Sequence, residues 1–137
     1  MAVLDTNLLI DLLRRKPAQR TLHAQMLIRS LLASGDAIMT TRFNVAELYV
    51  GAELSSDPPG EQTRIDKLLR PLQILEFDDA SGRAYGQIQA MLRRTGRPAG
   101  DMDALIASVT MTHGQTLFTR NDRHFRGIPG LAVTAVN

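Results

Sequence analysis

AVLDTNLLIDLL, residues 2–13, decides how the chain is read. Ala2-Val3-Leu4 is a short apolar run, and the leucines after it, Leu8, Leu9, Leu12 and Leu13, fall on one face at helical spacing. The stretch is therefore a strand feeding directly into a helix, with Asp5 at the junction. The same alternation recurs outward from it. A helix over about 18–33 stops near Ser34-Gly35, and a strand at 37–40 follows. FNVAELYVGAEL (43–54) carries Val45, Leu48 and Ala52 at helical spacing. Asp57-Pro58-Pro59-Gly60 reads as a break, followed by a short helix at 61–69 and a strand at 72–77. A helix at 79–94 closes at Thr95-Gly96-Arg97-Pro98; another spans 101–113, and strands occupy 116–119 and 131–135. Short strands separated by helices make parallel β-α units. The expected fold is α/β with four or five short parallel strands, built as one domain over 1–137, a length that suits a single core. Ligands of such sheets bind beyond the carboxyl ends of the strands, where strand order reverses.

Composition narrows the class further. Hydrophobic residues make up 44% and charged residues 22%, ordinary for a globular domain. No apolar run approaches the roughly 18 residues of a membrane helix. The opening residues lack the basic start and small-residue cleavage site of a signal peptide, so a cytoplasmic protein is expected. There is no cysteine, which excludes disulfides and thiolate metal sites. Of 16 basic residues only Lys16 and Lys67 are lysines. Arginine presents a planar fork of donors to phosphates, although arginine-favouring codon usage explains the bias equally well. Arg14-Arg15-Lys16, Arg93-Arg94 with Arg97, and Arg120, Arg123 and Arg126 form local runs. Each suits a solvated surface as readily as a nucleic-acid contact.

Acidic residues occupy unusual places. Asp5 ends the first strand, where it reads as a helix N-cap or as a functional carboxylate. Glu47 lies within the apolar face of its helix, three residues after Asn44, and is either half-exposed or tied into a polar network. In GDMDALIAS (100–108), Asp101 and Asp103 are two apart and so point about 200° from each other if both are helical. Asp103, next to Ala104-Leu105-Ile106-Ala107, is the better inward carboxylate; Asp101 is a cap or an outer partner. Thr119-Arg120-Asn121-Asp122 ends a strand with a hydroxyl, an amide and a carboxylate, all of which also suit a plain turn. In a parallel sheet these positions converge on the carboxyl edge. Carboxylates gathered there repel one another, and a hard divalent cation resolves the conflict. Oxygen donors without Cys or clustered His suit Mg²⁺ or Mn²⁺, whose natural work at such a site is phosphodiester hydrolysis.

VLDTNLLIDLL, FNVAELYVG, DALIAS and LFTRNDRHF, in that order and spacing, resemble the PIN-domain ribonucleases, specifically the VapC-type toxins of toxin–antitoxin pairs. The resemblance covers essentially the whole chain. It implies a three-layer α/β/α fold and Mg²⁺- or Mn²⁺-dependent endonucleolytic cleavage of RNA. It places catalytic acids on Asp5, Glu47 and Asp103, which would hold the metal, and a fourth position on Asn121, with Asp122 beside it. Thr6 and Thr119 match hydroxyl positions near the metal, and Asp101 matches a frequent extra acid. Arg120 and Arg123 are expected at the rim, holding the RNA backbone. The resemblance also implies a homodimer neutralised by a small antitoxin. The helix face from Leu22 to Leu32 is either a wall of the antitoxin groove or plain core. Two departures stand out: Asn121 is neutral, and His124 precedes Phe125 where the family often has an acid. The three-carboxylate core is untouched by both.

Other readings compete. Phosphoacceptor folds also place Asp after a strand, but the haloacid-dehalogenase type needs a second Asp where this chain has Asn7. The receiver type needs a late lysine, and Lys16 and Lys67 fall elsewhere. A PIN nuclease of RNA processing, outside toxin–antitoxin systems, and a non-catalytic module binding RNA or a partner both share the fold; metal-dependent cleavage separates the latter from the enzyme.

Overall fold

A computed structural model describes residues 1–97 and 99–137; Pro98, the last residue of the expected break after 94, lies outside the described residues. Five strands form one parallel sheet: β1 (Ala2–Leu4), β2 (Ile38–Thr41), β3 (Gln73–Leu75), β4 (Thr116–Thr119) and β5 (Ala132–Ala135). Their order is β3-β2-β1-β4-β5. The chain builds outward from β1 to one edge, then returns to its other side, so the order reverses between β1 and β4. Leu4 pairs with Phe118 at that seam, which brings Asp5 and Thr119 to adjacent strand ends.

Six longer helices flank the sheet: α1 (Thr6–Leu13), α2 (Gln19–Ala33), α3 (Arg42–Glu53), α4 (Pro58–Leu69), α5 (Asp79–Arg94) and α6 (Asp101–Thr112). A one-turn helix, α7 (Asp122–Phe125), follows β4. Because successive strand residues face opposite sides, β1 seeds two cores. Val3 packs with Met39, Leu117 and the apolar faces of α5 and α6. Ala2 and Leu4 pack with Ile38 and with Leu8, Leu9, Leu31, Val45, Leu48 and Ile65 of α1 to α4. This is the expected three-layer arrangement.

Three local readings change. The Asp57-Pro58-Pro59-Gly60 break is itself a helix start: Asp57 caps α4 through the Gly60 N–H at 3.2 Å, and proline fits the first helical turn, where its missing N–H has no partner to lose. Asp122, read as the end of a turn over 119–122, instead starts the one-turn helix α7. On α1, Leu8 and Leu9 are buried as expected, but Leu12 and Leu13 are only half-buried, and the side chain wholly enclosed beside them is Asp11.

Candidate active site

Asp5 is both a cap and the centre of the site. Its backbone N–H donates to the Phe118 carbonyl at 3.0 Å, pinning the end of β1 to β4 across the point of reversal. Its Oδ1 accepts the Thr6 N–H at 2.9 Å, the cap bond that starts α1, and Asn44 Nδ2 at 3.0 Å. Its Oδ2 accepts the Thr119 hydroxyl at 2.7 Å. A carboxylate only 6% exposed is thus held by three elements.

The direction of each bond follows from counting protons. Thr119 Oγ accepts from Asn7 Nδ2 at 3.2 Å and from the Asn121 N–H at 3.0 Å, which occupies both lone pairs, so its single proton goes to Asp5. Asn7 is oriented in turn by the Arg120 N–H, which donates to its Oδ1 at 3.3 Å. On the other flank, Thr41 caps α3 and donates its hydroxyl to Asn44 Oδ1 at 2.7 Å. Asn44 Nδ2 then faces Asp5 and also donates to Thr6 Oγ at 2.9 Å. With that lone pair engaged, the Thr6 hydroxyl donates to Glu47 Oε1 at 2.7 Å. Asp5 and Glu47 are therefore joined through Asn44 and Thr6, each as an acceptor.

Asp103 approaches from the first turn of α6. Burial pushes its carboxyl above the usual carboxylate range; His124, with Nδ1 3.7 Å from Oδ2, opposes the rise, and the charge of Asp5 adds to it. Asp103 therefore shares the electrostatic environment of Asp5 although 98 positions separate them in the chain. Asp101 is the first residue of α6, exposed, and accepts a long 3.4 Å bond from the buried Gln89 amide; Gly100 holds the cap position instead. Among the described residues, no three acidic or histidine side chains stand close enough together to ligate an ion directly. Oxygen donors of this kind suit Mg²⁺, which keeps several waters and takes only one or two carboxylates directly. The donor set here, carboxylates with hydroxyl and amide oxygens and neither Cys nor clustered His, is of the kind that suits such an ion.

The remaining expected site residues divide. Thr6 and Thr119 lie in the network. Asn121 caps α7 by position, with an exposed side chain that makes no cap bond. Asp122 pairs with Arg126 one turn on. Arg123 is exposed. The expected placement of Arg120 at the rim is corrected: its side chain is 19% exposed and turns onto Asp11, with Nη2 3.2 Å from Oδ1 and Nε 2.8 Å from Oδ2. A cation facing a fully enclosed carboxylate is held there by charge. Sequence reading passed over Asn7, Asp11 and the full role of Asn44. A signal existed for the first two, since positions four apart share a helix face and polar residues at 7 and 11 interrupt an otherwise leucine-rich stretch.

The family described as PIN domain matches residues 2–131. The tRNA(fMet)-specific endonuclease VapC of Shigella flexneri is 32% identical over 94% of this chain and 92% of its own length. Ribonuclease VapC2 of Rickettsia felis is 30% identical over the same shares, 94% and 92%. Among solved structures, VapBC2 from Rickettsia felis bound to a promoter DNA fragment superposes with a TM-score of 0.86 at 27% identity, covering 99% of this chain and 98% of that one. DNA-bound VapBC from Salmonella typhimurium superposes with a TM-score of 0.83 at 30% identity, covering 98% and 96%.

Proposed function

This chain belongs to the PIN-domain family, and on that premise we propose that it is a divalent-metal-dependent endoribonuclease, the toxin of a toxin–antitoxin pair. The observation that supports the reading is the network at the sheet's point of reversal, in which three donors fix Asp5 and Asn44 and Thr6 link it to Glu47, with Asp103 within reach of the charge of Asp5. Asp5, Glu47 and Asp103 would hold Mg²⁺ or Mn²⁺, partly through water. When bound, such an ion activates water and offsets the charge that develops on a phosphate in hydrolysis. Asn44 and Thr119 keep the Asp5 oxygens aimed, and Thr6 holds Glu47 beside them. Asn121, exposed after β4, would be the fourth polar group offered to substrate. Arg123, exposed on α7, holds the RNA backbone. Single-stranded or looped RNA is the substrate class, because its bases are accessible.

The relatives' names support ribonuclease activity, and the VapBC complexes support a small antitoxin as the partner. Exposed Leu22, Met26 and Leu32 on α2 offer apolar surface to such a partner or to a second copy in a homodimer. The place of action is the cytoplasm; no helix among the described residues is long and apolar enough to cross a membrane. The test is cleavage of a mixed RNA pool by antitoxin-free protein with Mg²⁺, with EDTA and with Asp5→Asn. Cleavage that is lost with EDTA and in the folded variant supports the enzyme. A folded wild-type protein that binds RNA and never cuts it would be the non-catalytic module instead.

A further inference from the structure

Asp11 is enclosed and has no part in the chemistry described so far. Its partner, Arg120, sits directly between Thr119 and Asn121, the residue that hydrogen-bonds Asp5 and the residue that hydrogen-bonds Thr119. Asn7 stands one helical turn before Asp11 on α1 and grips the same segment, accepting the Arg120 N–H and donating to Thr119. Two side chains of one helix face thus hold a three-residue turn, one through its backbone and hydroxyl, the other through its guanidinium. Arg14 adds a second positive charge 3.6 Å from Asp11 Oδ1.

We propose that the Asp11–Arg120 ion pair is a positioning device that fixes the 119–121 turn, and through Thr119 the orientation of Asp5, for metal binding and cleavage. The proposal rests on the metal-dependent nuclease reading above. Its physical basis is the direction of the bonds. Arg120 cannot shift without carrying its own N–H away from Asn7 Oδ1, and an unanchored Asn7 no longer fixes which groups occupy the Thr119 lone pairs. The Thr119 proton is then free to leave Asp5 Oδ2. Groups that orient a metal-binding carboxylate typically change metal affinity or activity by about 10–100-fold when removed. The fold need not depend on the charges of the pair, since a buried ion pair replaced by apolar side chains of similar volume often leaves the fold intact, whereas removal of one partner strands a charge.

The experiment compares wild type with Asp11→Leu/Arg120→Met and with Asp11→Asn, which keeps the volume and an acceptor for Arg120. Each is followed by thermal melting, Mn²⁺ calorimetry without RNA, and steady-state cleavage. The expected result is a folded double variant with Mn²⁺ affinity and kcat both reduced by about 10–100-fold, KM for RNA unchanged, and Asp11→Asn between it and wild type. A folded double variant with wild-type Mn²⁺ affinity and kcat overturns the proposal. So does a raised KM alone, which would return Arg120 to the RNA backbone. If the double variant does not fold, Asp11→Asn decides by the same readings, and loss of the fold in both reduces the pair to a purely structural one. Failure of the nuclease reading is separate and visible in the wild type, as the absence of both Mn²⁺ binding and metal-dependent cleavage.

Discussion

Half-buried beside Asp5, the Asp103 carboxylate loses part of its hydration and meets a second negative charge, so ionising it works against the fold. A carboxyl whose folded-state pKa is raised contributes stability that is complete below its unfolded value and is lost as pH rises through the folded value. Asp103→Asn should therefore raise the Tm of the metal-free protein at neutral pH, with the gain disappearing in acid, where both forms are neutral. The same variant should lose cleavage, and Mg²⁺ should raise the Tm of wild type but not of the variant, because only the former binds it in the folded state. Thermal melts from acid to neutral pH check this, and a neutral-pH Tm at or below wild type would contradict it. Asn44 carries the opposite balance. It is wholly buried and serves Asp5, Thr6 and Thr41 at once. Asn44→Ala leaves those groups without partners and should cost about 1–3 kcal/mol in urea unfolding, with cleavage impaired. The acids were legible in the sequence because charge beside an apolar stripe is conspicuous. Asn44 was visible only as a helical neighbour of Glu47, because an amide's value lies in bonds to distant residues.

At the scale of elements, α6 separates function from stability along its length. Its first turn carries Asp103. Its last turn ends in a Schellman-type cap, in which the Gly114 N–H reaches the Met111 carbonyl at 3.0 Å and the Gln115 N–H reaches Thr110 at 3.1 Å. Gly114 has a φ of 64°, a conformation that L-residues enter at a cost of about 1–2 kcal/mol. No atom lies within 4 Å of where a Cβ would stand. Gly114→Ala should accordingly lower stability by about 1–2 kcal/mol through backbone strain alone, and kcat should not change, since Asp103 lies at the opposite end of the helix. Chemical denaturation alongside a cleavage assay tests both halves. Helix ends of this kind were readable at Ser34-Gly35 and Thr95-Gly96, because glycine after an apolar period is a local signal. The start of α4 was not, since proline and glycine mark a helix's first turn and a loop with the same letters. Nor was α7, whose four residues are too few to show a period.

For the whole molecule, the succession of strands and helices was plain from hydrophobic period, but the order of strands was not. A β-α unit says that the next strand is parallel; which side of β1 it joins depends on packing that no short stretch encodes. That order matters, because placing β4 beside β1 is what brings Thr119 to Asp5. It also sorts the arginines. Arg120 turns onto Asp11 of α1, Arg126 is paired with Asp122, and Arg123 is left exposed on α7. Only a cation that displaces counterions from RNA contributes to the salt dependence of binding, by about 0.7 in the slope of log K against log salt for each single-strand phosphate contact. RNA binding measured with the inactive Asp5→Asn protein should thus weaken linearly on that plot. Adding Arg123→Ala should make the slope shallower by about 0.7, whereas adding Asp11→Leu/Arg120→Met should leave it unchanged, because Arg120 is neutralised within the protein. A slope that responds to Arg120 and not to Arg123 would exchange their roles, placing the phosphate contact at the turn and making Arg123 an ordinary solvated charge.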